Sequence, residues 1–135
     1  MSAAKRRWLN GAVCFVAGGF GYGMIEVLWR GYTHFSMLIT GGLCFCLLCR
    51  VARLEWHWLW ISLIGGLAIT TAELLVGCVV NLWLGWAVWD YSKEFGNLWG
   101  QICPGFSAIW CGFSALVTGV RRAGAHLARR SPVWP

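Results

Sequence analysis

Residues 89–110 read WDYSKEFGNLWGQICPGFSAIW and form the only extended polar interval inside this sequence. Three tryptophans, Trp89, Trp99 and Trp110, lie among its polar groups. A polar segment flanked by tryptophan, between two long apolar runs, is typical of a membrane–water interface. The stretch therefore predicts a polar cap on one membrane face, which turns back towards the bilayer at Cys103-Pro104-Gly105. A plain surface loop with interfacial anchors fits the same residues.

The chain as a whole is strongly apolar. Hydrophobic residues make up 59% of its 135 residues, and the mean hydropathy is +0.62. Only 12% of the residues are charged, against roughly 25% in an ordinary soluble domain. The composition predicts an integral protein of the cell membrane. Its length suits one bundle of short-looped helices, so any ATPase module would be a separate chain.

Four apolar runs predict four transmembrane helices. The first covers Trp8–Trp29 and the second covers Phe35–Cys49, which is short for a span. The third follows the aromatic girdle Glu55–Trp60 and continues to Trp83 or Trp89, so we expect it to be the longest helix. We predict an all-α membrane protein, a bundle of four transmembrane helices with the polar, Trp-rich stretch as an outer cap between helices 3 and 4.

The net charge of +6 lies in short clusters at the ends of the apolar runs, which indicates topology rather than nucleic-acid binding. Nine of the 11 basic residues fall on one side of the predicted bundle, and only Arg30 and Lys93 fall on the other. The positive-inside rule then places both termini of this multi-pass protein in the cytoplasm. The predicted parts are a basic N-terminus (1–7), a transmembrane domain (8–120) and a basic, unstructured tail (121–135).

The first apolar run carries polar groups on one helical face. Gly18, Tyr22, Glu26 and Arg30 follow one another at intervals of four residues, so they share that face. Glu26 and Arg30 have the spacing of a helical ion pair. We expect this face to meet the third helix.

The third run carries a stripe of small and polar residues, Gly66, Thr70, Glu73, Gly77 and Asn81. Glu73 lies near the middle of the span. Intramembrane ionisable groups are costly, and they usually face a cavity or a partner. The stripe predicts a proton or cation site at Glu73. A protonated glutamate that only holds helices together by a hydrogen bond fits the same position.

A second stripe of small residues predicts that the fourth helix packs closely too. The stripe consists of Gln101, Gly105, Ala108, Gly112, Ala115 and Gly119. So many small-residue faces exceed what four helices can bury among themselves, which predicts a homo-oligomer.

The cysteines at 44, 46 and 49 resemble a metal-ligand spacing, but Cys46 would point away from the other two on a helix. No histidine cluster or second Cys pair completes four ligands. Nucleotide-binding, hydrolase and zinc-protease motifs are absent from the sequence. We predict no metal and no cofactor.

Four segments, in this order, resemble the small membrane proteins of the type IV ABC-transporter, or CmpB-like, permease family. They are Gly21–His34, Ala72–Gly77, Trp89–Ser92 and Gly100–Cys103. The likeness covers roughly residues 18–110. It implies a membrane permease, with a separate ATPase chain as a partner, although four short-looped spans offer no obvious coupling helix for one.

Three functions fit these observations. The first is a permease or channel subunit that moves a small solute or cation. Its predicted substrate-binding residues are Glu73, Glu26, Arg30, Tyr22, Asp90, Tyr91, Asn97 and Gln101. The second is a non-transporting scaffold or accessory protein. The third is an intramembrane enzyme, whose acid and base groups would be Glu26, His34, Glu73 and Asp90.

Overall fold

The computed structural model describes residues 2–130, so Met1 and residues 131–135, the end of the predicted tail, lie outside the described part. Residues 2–130 form four α-helices, and the prediction of an all-α fold is confirmed. The helices are α1 (Ala3–Arg30), α2 (Phe35–Val51), α3 (Trp58–Gly77) and α4 (Pro104–Arg130). A π-helical segment, Cys78–Trp83, continues α3. An irregular connection, residues 84–103, leads from it to α4.

α1 packs mainly on α2. Its predicted polar face also reaches the third run, because Tyr22 packs against the buried cluster that includes Val80 of the segment continuing α3. The turn between α1 and α2 is only four residues long, which makes the two helices antiparallel neighbours. Glycines bring them together. A Cβ added at Gly19 would lie 2.6 Å from the carbonyl oxygen of Leu38, and one at Gly41 would lie 2.5 Å from Cβ of Tyr22. Larger residues at either glycine would force the helices apart.

α3 packs on α4 through the predicted stripe of α3. A Cβ at Gly66 would lie 2.8 Å from Cα of Cys111, so the backbones approach closely. Hydroxyl groups then join each helix to the other's carbonyls. Ser62 Oγ donates to Cys111 O over 2.6 Å, and Ser114 Oγ donates to Ile61 O over 3.1 Å.

Two clusters of buried side chains form the core around α2. One joins α2 to α3 and consists of Cys44, Leu48 and Ile69. The other joins α2 to the π-helical segment and the connection that follows it, and consists of Met37, Val80, Val88 and Trp89. The connection is therefore packed into the bundle and is not a detached loop.

The small-residue stripe predicted for α4 is not the side of the helix that packs within the chain. The helix begins at Pro104, so Gln101 lies before it. Gly105, Gly112 and Gly119 are exposed, and a Cβ added at any of them would meet nothing within 4 Å. α4 instead buries a hydroxyl face that includes Ser114 and Thr118.

Two predicted lengths also differ. Within residues 2–130 the longest helix is α1, with 28 residues, while α3 and its π-helical continuation together span 26 residues. α4 remains helical through Arg130, where the sequence predicted an unstructured tail from residue 121. The start of this extension is held in place, because Arg121 donates to Ala52 O over 2.8 Å and Arg122 donates to Trp56 O over 2.6 Å.

By length and composition, Ala3–Arg30 and Trp58–Trp83 are apolar enough to cross a membrane. Phe35–Val51 is a shorter apolar helix. The length and apolar composition of the helices thus support two of the four predicted spans.

Candidate functional site

Glu73 is buried between α3 and α4, with 3% of its surface exposed. Trp110 of α4 donates its indole N–H to Glu73 Oε2 over 2.9 Å. One turn earlier, Thr70 Oγ1 lies 3.0 Å from Ser107 Oγ of α4. One turn later, Gly77 packs against Gln101. The stripe of α3 therefore places the carboxylate among polar groups of α4 and of the connection before it.

Tyr22 reaches the same place from α1. Its ring stacks on that of Trp110, with centroids 5.8 Å apart and 28° between the ring planes. Two predicted site residues, Tyr22 and Glu73, thus meet through an indole ring. Trp110 itself was missing from the predicted site, although a buried tryptophan N–H usually finds an acceptor. The need of a buried indole N–H for an acceptor was the signal in the sequence that could have identified Trp110.

The predicted pair of Glu26 and Arg30 is confirmed. Arg30 Nη2 lies 2.7 Å from Glu26 Oε1, and Thr33 Oγ1 donates to the other carboxylate oxygen over 2.6 Å. The guanidinium also lies over the ring of Tyr32, 4.7 Å from its centroid. Its Nη1 donates to Val88 O over 2.8 Å. The end of α1 is therefore tied to the connection between α3 and α4.

A hydrogen-bond network continues from Val88 into that connection. Val88 N donates to Asn81 Oδ1 over 2.7 Å, and Asn81 Nδ2 donates to Gln101 Oε1 over 2.8 Å. Gln101 O accepts from Trp89 Nε1 over 3.0 Å, and Gln101 Nε2 donates to Trp99 O over 2.9 Å. Gln101 belongs to the predicted site, whereas Asn81 was recognised only as part of the stripe on α3.

Asp90 and Asn97 serve the connection itself. Asp90 accepts hydrogen bonds from Ser92 N over 2.8 Å and from Ser92 Oγ over 2.9 Å. These bonds favour the ionised carboxylate, so they lower the pKa of Asp90. Asn97 Nδ2 donates to Ser92 O and Glu94 O, and its Oδ1 accepts from Gly100 N over 3.0 Å. Both side chains stabilise local turns.

Tyr91, within the connection, packs against α4 and against the buried cluster that includes Val88 and Trp89. Its ring stacks on Phe106 of α4 at a centroid distance of 4.6 Å, and burial raises the pKa of its hydroxyl. Further along, the connection makes a tight turn at Trp99 and Gly100. Trp99 and Gly100 have φ angles of 52° and 69°, and Gln101 N donates to Leu98 O over 2.9 Å. Trp99 stays exposed at this turn.

The four acid and base residues of the enzyme hypothesis have separate surroundings. His34 Nδ1 lies 2.7 Å from Ser36 Oγ, and its ring contacts Phe35 and Trp86. Glu26 binds Arg30 and Thr33, Glu73 binds Trp110, and Asp90 binds Ser92. Within residues 2–130, no hydrogen bond found joins any two of the four. Of the four, the Glu26 and Glu73 carboxylates lie close enough to interact electrostatically.

These features define a small helical protein in which polar side chains are buried between apolar helices. Over residues 2–128 the chain matches, and belongs to, the family described as "Putative ABC-transporter type IV". The family resemblance inferred from four short segments is confirmed, and it extends over nearly the whole chain. The family relates the chain to membrane transport. No curated protein and no solved structure matches it.

Proposed function

We propose that this chain is a multi-pass protein of the cell membrane and a subunit of a permease or channel. A small solute or cation would pass a site formed by Glu73 and the connection 84–103. The family supports transport as the general role. The observation on which the site depends is the Glu73 carboxylate, which is buried in the third helix with the Trp110 indole N–H as its hydrogen-bond donor.

The outer surface of the bundle supports its place in a bilayer. Large apolar side chains point outward from three helices, among them Leu28 on α1, Leu67 on α3 and Leu116 on α4, which are 82%, 62% and 61% exposed. Soluble monomers rarely present so much contiguous apolar surface. In a membrane, the same side chains would contact lipid. We propose four spans within residues 8–120, with α2 and α4 as the two additional ones.

The basic residues support one orientation of these spans. Residues 1–7 and 121–135 would lie in the cytoplasm, because nine of the 11 basic residues fall on that side. The connection 84–103 then faces outward as the predicted cap. Arg30 and Lys93 would be the two basic residues at the outer face.

The remaining site residues would have distinct parts in this path. Tyr22 would line it beside Glu73, because its ring stacks on the indole that binds the carboxylate. Gln101 would line it at the cap. Glu26 and Arg30 would hold the cap against α1 through Val88. Asp90, Tyr91 and Asn97 would keep the cap in shape through the contacts described above.

The test compares Glu73→Gln with the wild-type chain in liposomes. Proton flux is followed with an entrapped pH-sensitive dye, and sodium and potassium uptake are followed across a series of pH values. Glutamine keeps the shape and the acceptor of the carboxylate and removes only its charge. We expect the flux of Glu73→Gln to fall by about tenfold or more, since intramembrane carboxylates usually mark ion pathways. Glu55→Gln, which removes an exposed carboxylate outside the connection 84–103, is the matched control and should keep wild-type flux. Wild-type flux from Glu73→Gln at every pH would contradict a role for Glu73 in transport.

A non-transporting accessory protein is the second candidate. Among the described residues, Arg30 Nε is the only buried side-chain nitrogen or oxygen found without a hydrogen-bond partner. Such complete pairing is expected of polar groups that hold helices together. In that case Glu73→Gln would be silent, and Glu73→Leu would weaken the bundle by roughly 1–2 kcal/mol, as for other interhelical hydrogen bonds in membranes.

Two partners follow from the same observations. The small-residue stripe of α4, which consists of Gly105, Ala108, Gly112 and Gly119 on the surface and the half-buried Ala115, would pack against the stripe of a second copy, because small residues allow close helix approach in lipid. The family supports a separate ATPase chain as the other partner.

A further inference from the structure

A groove of about 850 Å³ runs between the N-terminal half of α1 and the C-terminal half of α2. Its walls are mostly apolar and include Gly11 and Phe15 of α1, Leu43 of α2 and Ala72 of α3. The glycines that bring α1 and α2 together, Gly18 and Gly19, come later in α1. The groove follows the seam of the two helices towards the ends that carry basic residues. The helices stay in contact along it, because Cys46 Sγ donates to Gly11 O over 3.6 Å and a Cβ added at Gly42 would lie 2.7 Å from Phe15 O.

One end of the groove is positively charged. Arg7, near the start of α1, and Arg50, near the end of α2, both line it, because the two helices are antiparallel. Both are exposed, and Trp8 lies beside Arg7 in the same wall. No acidic residue of the described chain lines the groove. The site is therefore amphipathic, with two guanidinium groups at one end and a hydrocarbon surface below them.

The length of the groove matches one leaflet of a bilayer. Its lining extends along α1 from Ala4 to Phe15, a rise of about 16 Å at 1.5 Å per residue. Half of the hydrocarbon core of a bilayer is about 15 Å thick. From Arg7 to Phe15 the rise is about 12 Å, so an acyl chain that starts at the level of Arg7 would lie along the groove for most of its own leaflet.

We propose that the groove binds one anionic phospholipid of the cytoplasmic leaflet. Its phosphate group lies between Arg7 and Arg50, and one acyl chain lies along Gly11 and Phe15. Paired arginines suit phosphate oxygens, and basic pockets between helices on the cytoplasmic side are known lipid sites. The choline of a zwitterionic lipid would bring a cation towards the same arginines. The proposal depends on the orientation proposed above and is independent of transport through Glu73.

The first test measures lipid retention by native mass spectrometry of the purified chain. The protein is mixed with phosphatidylglycerol and phosphatidylcholine that carry identical acyl chains. We expect wild-type protein to retain phosphatidylglycerol in preference by about tenfold or more. Arg7→Gln/Arg50→Gln should lose that preference. Lys5→Gln/Arg53→Gln removes the same charge at the same end outside the groove, and it should keep the preference.

The second test concerns the hydrocarbon part of the groove. A Cβ added at Gly11 meets nothing within 4 Å, so Gly11→Leu fills the groove without forcing the helices apart and leaves both arginines in place. This variant should lose phosphatidylglycerol. Gly21→Leu, at a position on α1 that is equally open, should retain it. Circular dichroism and gel filtration check that all variants are folded.

Three results would overturn the proposal. They are equal loss of preference in the two double variants, wild-type retention by Gly11→Leu, and displacement of the lipid by inorganic phosphate alone. Lipid retention is measured without transport. The result would therefore be the same if Glu73 had no part in transport.

Discussion

Trp110 on α4, which is half-buried, donates a hydrogen bond of 2.9 Å to the buried Glu73 on α3, and the same indole ring stacks on Tyr22 of α1. One side chain therefore links three helices at the depth of the buried carboxylate. This relationship separates two contributions to stability, the N–H···O bond and the ring contact, which substitutions can remove one at a time.

Trp110→Phe should remove the hydrogen bond and retain most of the ring contact with Tyr22. We expect it to lower the free energy of unfolding in detergent by roughly 1–2 kcal/mol, the range for interhelical hydrogen bonds in membranes. Trp29→Phe is the control, because Trp29 on α1 is 86% exposed. In a double-mutant cycle with Glu73→Leu, the combined effect should be smaller than the sum of the two. Additivity within about 0.5 kcal/mol would mean that the bond contributes nothing measurable.

The orientation of the chain can be measured by cysteine labelling. In a variant whose native cysteines are replaced by serine or alanine, a cysteine at Glu94 should react with an impermeant maleimide from outside intact cells. A cysteine at Arg53 should react only after the cells are opened, because it belongs to the basic side. Labelling of Arg53 from outside, with Glu94 protected, would reverse the proposed orientation and remove the connection 84–103 from the outer face.

The sequence predicted the packing face of α3 correctly and that of α4 incorrectly. Both faces repeat with nearly the same period. Gly105 and Gly112 are seven residues apart, and so are Ser107 and Ser114. The two sets are offset by two residues, about 200° around a helix, so they lie on opposite sides. Small residues alone did not identify the buried side of α4. A serine hydroxyl can donate a hydrogen bond to a carbonyl of α3, as Ser114 does to Ile61, whereas glycine allows only close approach.

The candidate site was also only partly predictable. Glu26 and Arg30 meet as predicted, because a helical spacing determines their distance. The contact of Arg30 with Val88, 58 residues later, depends on how the connection folds back, and no local pattern encodes it. Asp90 was assigned to the substrate site on its charge. Its spacing to Ser92 is that of a side chain bonding its own backbone two residues on, which predicts a turn.

The two glycine faces of the α3–α4 pair should respond differently to leucine. Gly66→Leu would drive a side chain into the backbone of Cys111, so it should unfold the pair or prevent its insertion. Gly112→Leu points into open space in the single chain. It should leave the helical content unchanged and shift the oligomer to smaller species, because the stripe proposed to contact a second copy would be covered. Gel filtration with light scattering measures both, and Gly21→Leu is the control. An oligomer that survives Gly112→Leu would place the interface on another face.

The turn held by Asp90 should open in acid. Its carboxylate accepts two hydrogen bonds from Ser92, and these lower its pKa from the ordinary value of 3.8. A lowered pKa in the folded turn means that ionisation stabilises the turn. The stabilisation is complete above the ordinary value and is lost as the pH falls through the lower folded value. Hydrogen exchange, corrected for intrinsic rates, should therefore show constant protection of the Ser92 amide above about pH 4 and a decrease below it.

Asp90→Asn separates the charge from the geometry of this turn. Asparagine keeps an oxygen that can accept from the Ser92 amide and does not titrate, so its protection profile should be flatter below about pH 4 than that of the wild type. Asp90→Ala should reduce protection at every pH, since the acceptor itself is gone. Glu94→Gln removes a nearby exposed charge, and Glu94 forms no side-chain hydrogen bond with Ser92 that the structure shows, so this variant should keep the wild-type profile. If Glu94→Gln flattened the profile as much as Asp90→Asn, the acid sensitivity would come from the general charge of the connection rather than from Asp90.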